Sequence, residues 1–372
     1  MMSQVRGDRA AAFWRQTMSN ALNNAEKATR RQFLRRSVGG ASLFGLGSAA
    51  GLLSFPAQAE RPAGGASGGS GRTLGKEFTY DVSKFYKTDP ALIQYAESAK
   101  IATGFKELRA VAVGPEDRVY AAGDLAVRVF SKSGERISEV KLGERPRCLA
   151  VSAAGNMFVG MKNRVEVFDA SGARQARWAA AGGDAVLTAV AVAEKDVFVA
   201  DAGNRVVLRY DLAGKLLGRI GKKDPDKHIL GFIVPSPYLD LGVGADGLLW
   251  VVNPGRHRLE AYTADGDIQN YWGEESLGVK GFCGCCNPIH FARLPDGRFV
   301  TSEKGLPRVK VYSAKGDFEG VVAGPELFPK QIENPHTAGP SGVCMDLAVD
   351  SAGRVLLADA FSREVRVFTR KQ

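Results

Sequence analysis

Three of the chain's five cysteines stand within four residues, Cys283-Gly284-Cys285-Cys286, and Asn287-Pro288-Ile289-His290 follows directly. Four chemistries fit thiols this close together. Cysteines form disulfides in an oxidising compartment, here as a Cys285–Cys286 ring or a Cys283–Cys344 bond. Thiolates with imidazole are soft and borderline ligands, so Cys283, Cys285, Cys286 and Cys344 could hold a divalent metal or an iron–sulfur cluster. A thiol of lowered pKa is a nucleophile or redox group, and a buried unpaired cysteine is a small hydrophobe. No second C-x-x-C exists to fix a standard zinc site, and the spacing leaves the four readings open.

A second set of polar residues stands directly before short apolar segments. Asp240 precedes Leu241-Gly242-Val243, His290 precedes Phe291-Ala292, Asp346 precedes Leu347-Ala348-Val349, and Cys148 precedes Leu149-Ala150-Val151. Two carboxylates and an imidazole can ligate a divalent metal or serve as acid and base. Against that stands a plainer role, because Asp at a strand start commonly accepts backbone N–H bonds, and such a set also suits a water-filled polar channel. His336 and His228 lie in two long connections, residues 328–344 and 222–235, and long connections gathered on one face are usually functional.

A repeat must position these groups. A unit recurs six times: an alternating apolar strand, a Gly or Asp turn, a second strand, a short basic loop, and a third strand ending in an aromatic residue. The third strands end at Phe130, Phe168, Tyr210, Tyr262, Tyr312 and Phe368, and Gly134, Gly172, Gly214, Gly266 and Gly316 turn the chain after the first five. Period-two alternation with a repeat of roughly 40–50 residues predicts an all-β fold, a six-bladed β-propeller over residues 76–372. Each blade needs a neighbour to cover its apolar faces, and closing the ring supplies one to all.

The sixth unit stops one strand short. Glu77-Phe78-Thr79-Tyr80-Asp81-Val82 is expected to fill that place from the N-terminal side, and Asp89-Pro90 to start a helix running from Ala91 to Lys100. In such a ring the connections between blades share one face with the loops after second strands, so all the cysteines and histidines belong to that face. Taking Val111, Leu149, Val190, Leu241, Phe291 and Leu347 as equivalent puts Ala110, Cys148, Ala189, Asp240, His290 and Asp346 around one mouth of the channel.

The unit Val199-Ala200-Asp201-Ala202-Gly203-Asn204-Arg205-Val206-Val207-Leu208 resembles an NHL repeat, and Leu357 to Phe368 is similar to it. The resemblance covers about residues 105–372. It implies the propeller but no single function, because NHL propellers include lyases, hydrolases and interaction modules. Amidating lyases of this architecture hold zinc with three channel histidines, and the equivalent ring here has one, His290. Strictosidine-synthase-like and lactonase-like propellers use Glu, Asn and Asp around the channel, a set that Asp240, Asp346, Glu303 and Asn253 imitate loosely. The sequence has no G-x-S-x-G, no phosphate-cradling glycine loop and no H-E-x-x-H.

Near the N-terminus, Thr29-Arg30-Arg31-Gln32-Phe33-Leu34-Arg35 resembles the bacterial twin-arginine (Tat) export signal. The run from Val38 to Phe55 is rich in Gly, Ala and Ser, which suits a cleavable segment better than a permanent membrane span, and Ala57-Gln58-Ala59 offers a cleavage site. Residues 1–59 are therefore read as a signal peptide and residues 60–75 as a Gly/Ser-rich linker. The resemblance implies the Tat machinery as a partner and the periplasm as the destination, and folded export often serves a cofactor inserted beforehand. Residues 1–59 carry eight Arg or Lys and two Asp or Glu, so the formal charge of +10 becomes 42 basic against 38 acidic groups, net +4. That balance leaves no electrostatic footprint for a nucleic acid.

Two functions are compatible with these features. One is an exported binding or redox-associated propeller, whose Cys/His-rich face holds a metal, a cluster or a disulfide, or docks a protein or small-molecule partner. The alternative is a metal-dependent lyase or hydrolase acting on a small molecule at the channel mouth.

Overall fold

The structure, a computed structural model, describes residues 83–226, 228–333 and 345–372. The expected signal peptide and linker, Glu77–Val82, His336 and Cys344 lie outside the described residues. Six four-stranded antiparallel sheets make up the fold. Their first strands are Leu108–Val113, Cys148–Val151, Leu187–Val192, Leu241–Val243, His290–Arg293 and Leu347–Val349. Each packs against the next, and the sixth packs against the first, which closes a six-bladed β-propeller.

The alternating side chains explain why the ring holds. In blade four the second strand, Leu249–Asn253, is buried along its whole length. Leu249 and Val251 enter a core shared with Phe198, Ala200, Val207 and Ile220 of blade three. Trp250 and Val252 point the other way, into a core with Phe291 and Phe299 of blade five. A strand with apolar residues on both faces is stable only between two neighbours, and each buried side chain of this size contributes roughly 1.5–3 kcal/mol. Glycine turns keep the packing tight. Gly316 has φ 91°, and a Cβ there would meet Trp272 Cγ at 2.3 Å, so the turn needs both glycine's backbone freedom and its missing side chain.

Strand register bears out the alignment of the six units. Val111, Leu149, Val190, Leu241, Phe291 and Leu347 pair with Ala121, Val159, Val199, Val251, Thr301 and Leu357. Those six pair in turn with Arg128, Glu166, Leu208, Glu260, Lys310 and Arg366, each two residues before its unit's aromatic.

Blade six is closed from the N-terminal side, but by a different segment from the one expected. Tyr95–Ala102 is the outer strand, paired antiparallel with Glu364–Arg370 from Tyr95↔Arg370 to Ala102↔Glu364. The place assigned to Glu77–Val82 is therefore taken. The helix expected over Ala91–Lys100 is also corrected. Asp89 does accept from Ala91 N at 2.9 Å with Pro90 beside it, but only one 3-10 turn follows, Pro90–Leu92. Helix propensity in Gln94–Lys100 loses to an open sheet edge, because Tyr95 and Ile101 enter flanking cores and Glu97 grips Arg366 with two oxygens at 2.9 Å each. Among the described residues no helix is long and apolar enough to cross a membrane.

Candidate functional site

The face that joins the blades is organised by the last residues of the second strands. Asp201 accepts from Val186 N at 3.0 Å, Asn253 from Ile233 N at 2.9 Å, and Glu303 from Cys283 N at 3.1 Å. Each thus catches the connection that leads into its own blade. Asn253 and Glu303, which imitate the lactonase-like channel set only loosely, anchor loops here.

Glu303 has no solvent exposure. Its carboxylate takes Arg308 Nε and Nη2 at 3.0 Å each and Lys310 Nζ at 2.8 Å. Lys310 Nζ also donates to Gly281 O at 2.6 Å, so a buried charge network clamps the approach to the cysteines. Burial pulls Lys310 down to about 8 despite the Glu303 charge. Cys283 sits against this network, and burial, helped by Glu303, pushes its thiol up to about 11. A thiol that far above neutrality is a poor nucleophile.

Beyond Cys283 the chain makes a compact turn held from three directions. The Asn287 amide donates to Cys283 O at 2.6 Å and to Lys304 O at 2.9 Å, and its Oδ1 accepts from Lys304 N at 2.9 Å. From blade four, the His257 ring nitrogen Nε2 meets Gly284 O. This framework leaves Cys285 exposed at the apex and Cys286 buried beneath it, their sulfurs 3.4 Å apart. The Cys286 thiol faces Lys304 and Ser236. Lys304 Nζ is itself fixed, donating to Ser236 Oγ at 2.9 Å and lying 4.5 Å over the Tyr238 ring. Burial alone would raise Cys286, but hydrogen bonds with Ser236, Lys304 and Cys285 and the lysine's charge outweigh it and hold the thiol below its ordinary value. Cys285 moves the opposite way, raised by its hydrogen bond with Cys286 and by that group's negative charge.

The channel-mouth residues meet as the alignment implied. His290 Nδ1 lies 3.4 Å from Asp346 Oδ1 and 3.6 Å from Asp240 Oδ2, and the Tyr238 ring stands edge-on to the imidazole at 6.1 Å. The carboxylates also do structural work between blades. Asp240 Oδ2 accepts from Phe291 N at 2.8 Å, and Asp346 Oδ2 accepts from Val111 N at 2.9 Å, so each carboxylate latches the next first strand around the ring. Burial opposes charge on His290, but the adjacent Asp240 and Asp346 prevail and raise its pKa. Burial raises Asp346 to about 6, with the Asp240 charge adding to the rise and His290 partly offsetting it. Cys148 is buried against Gly160, whose missing side chain makes room for its sulfur, and burial drives its thiol far up.

Among the described residues, no three His, Cys, Asp or Glu side chains are disposed to hold a metal ion. The geometry gives the reason. Cys283 is turned into the Glu303 network, Asp240 and Asp346 are engaged by backbone amides, and Cys148, whose pKa both carboxylates help to raise, is a buried thiol. Cys148, Cys283, Cys285 and Cys286 are all free. His228 has φ 57° in an exposed turn, far in character from His290, whose side chain is only 12% exposed. Sequence reasoning missed Lys304, Ser236, Tyr238 and the anchoring role of His257. The repeat held a signal for one of them: Ser236 and Cys286 each stand five residues before the aligned Leu241 and Phe291, so they are equivalent positions in adjacent blades.

No protein-family model matches the sequence, and no curated protein matches it. Solved structures do match in shape. A streptogramin B lyase superposes with a TM-score of 0.53 at 11% identity, over 76% of this chain and 100% of that one. A protein of unknown function from Bacteroides thetaiotaomicron gives 0.51 at 18% identity, over 74% and 72%. The selenomethionine-substituted virginiamycin B lyase from Staphylococcus aureus gives 0.50 at 12% identity, over 74% and 100%. Likeness at these identities establishes the propeller fold and leaves the chemistry to the residues themselves.

Proposed function

We propose that this chain is an exported NHL-type propeller whose inter-blade face carries a redox-active vicinal dithiol, Cys285 and Cys286. One observation carries the reading: the two sulfurs face each other at 3.4 Å, one exposed and the other held against a fixed lysine and a hydroxyl. Closing that gap to a bond of about 2.05 Å needs a small movement at the apex of one turn. The scaffold supports selectivity, since Cys148 and Cys283 are buried thiols with raised pKa and stay out of exchange. Export through the twin-arginine route, which Thr29–Arg35 motivates, would deliver the pair to a compartment where disulfides persist.

The test is mild oxidation with glutathione disulfide, followed by intact mass and peptide mapping. The reading expects a loss of two hydrogens, located in the peptide that contains Cys285 and Cys286, and reversal by reductant. Pairs that stay reduced, or that end as stable glutathione adducts on single cysteines, would overturn it. The alternative reading, acid–base chemistry on a small molecule, has the mostly buried His290–Asp240–Asp346 trio in its favour. It requires turnover that survives Cys285→Ser with Cys286→Ser and is lost in His290→Ala.

A further inference from the structure

Resting on that reading, we infer that the pair acts in its disulfide form as an acceptor of electrons from external dithiols, with Cys285 the sulfur attacked and Cys286 the leaving thiolate stabilised by Lys304 and Ser236. The asymmetry of the turn assigns the two roles. Cys285 is the exposed sulfur, so an incoming thiolate reaches it first, while Cys286 is buried beneath it. Exchange goes faster when the departing sulfur is well stabilised as a thiolate. The Lys304 charge acts on both thiols, but only Cys286 also hydrogen-bonds with that ammonium and with the Ser236 hydroxyl.

The lysine is built into position rather than found nearby by chance. Its backbone N–H and C=O are both held by Asn287, the residue next to Cys286. Its side chain then turns back over Tyr238 to Ser236, so cation, hydroxyl and thiol come from three segments joined by hydrogen bonds. Asn287 thereby couples the cysteine turn to the residue that stabilises it.

Two electrons pass from the substrate dithiol to the pair, and an external, more oxidising disulfide is the co-reactant that regenerates it. A substrate thiolate attacks Cys285 Sγ, the Cys285–Cys286 bond breaks, and its electron pair stays on Cys286 as a thiolate beside Lys304. The mixed disulfide between substrate and Cys285 is then attacked by the second substrate thiolate at the substrate's own sulfur. Cys285 is expelled and takes a proton. The substrate dithiol leaves as a disulfide, two electrons have passed to the protein pair, and the reverse exchange with a more oxidising disulfide restores it. A charge that favours the reduced thiolate makes the disulfide form more oxidising.

The experiment equilibrates the full chain with glutathione redox buffers and reads the reduced fraction of the pair by alkylation and mass. Lys304→Met removes the charge at a partly exposed position while keeping its bulk. It is expected to raise the equilibrium constant for disulfide formation about tenfold, or ~30 mV for a two-electron couple. Lys304→Arg should stay near wild type, and the pH at which Cys286 alkylation rises should move up in Lys304→Met alone. If the wild-type disulfide forms but Lys304→Met leaves both the constant and the alkylation profile unchanged, this inference falls and the dithiol reading stands. If no wild-type disulfide forms in any buffer, the dithiol reading itself falls.

Discussion

Replacing Asp346 by Asn should change how stability depends on pH, and the size of the change follows from its surroundings. Burial, with the Asp240 charge, raises Asp346 from 3.8 to about 6 even though His290 partly offsets it. A rise of about two units corresponds to ~3 kcal/mol. The folded state therefore binds this proton more tightly than the unfolded state does. The resulting contribution is fully present below the unfolded value near 4 and is lost as pH rises through about 6. His290, also raised, has the same sign: its contribution is present below 6.5 and is lost as pH climbs through its higher folded value. The amide introduced by Asp346→Asn keeps one acceptor oxygen for the two backbone amides, Val111 N and Leu347 N, that the carboxylate holds. Losing one such bond costs about 1 kcal/mol at every pH. The variant should thus be less stable than wild type by ~1 kcal/mol near pH 4 and more stable by ~2 kcal/mol near pH 7.5. Urea unfolding of both proteins across that range measures the difference directly; groups remote from the channel mouth cancel between them, while His290 loses the part of its rise that the Asp346 charge supplies. A difference that stays flat with pH would refute the claim that the channel mouth holds a proton-seeking carboxylate.

Two further perturbations probe the frame and the delivery of the site. Glu303→Ala strands Arg308 and Lys310 as buried charges and should cost about 3–5 kcal/mol. It should also free Cys283 for alkylation under native conditions, and full retention of stability would show that the clamp is dispensable. Replacing Arg30 and Arg31 together by Lys should leave unprocessed precursor inside the cell, and normal delivery of that variant would remove the export proposal.

The propeller was legible because its evidence is spread over six repeats, and the same alignment brought Asp240, His290 and Asp346 together correctly. Errors came where a single segment had to be judged alone. Gln94–Lys100 has a helical composition, and only the open edge beside Glu364–Arg370 makes it a strand. The loose likeness of Asn253 and Glu303 to the channel set of other propellers rests on residue type alone, and their position at second-strand ends gives them loop amides to hold. The cysteine cluster was visible at once, but not the difference between its members. That difference arises from Lys304, Ser236, Tyr238 and His257, which approach from separate loops and blades, so no local spacing reveals them.

The central claim is that Cys285 and Cys286 change oxidation state together while the other described cysteines do not. Acid trapping of intact cells after a pulse of a thiol oxidant or of reductant, followed by differential alkylation and peptide mass, reads each cysteine separately. The account predicts that Cys285 and Cys286 move jointly between alkylated and disulfide-linked forms, with Cys148 and Cys283 reduced throughout. A pair that stays reduced under oxidant, or that shifts in step with Cys148 and Cys283, would contradict it.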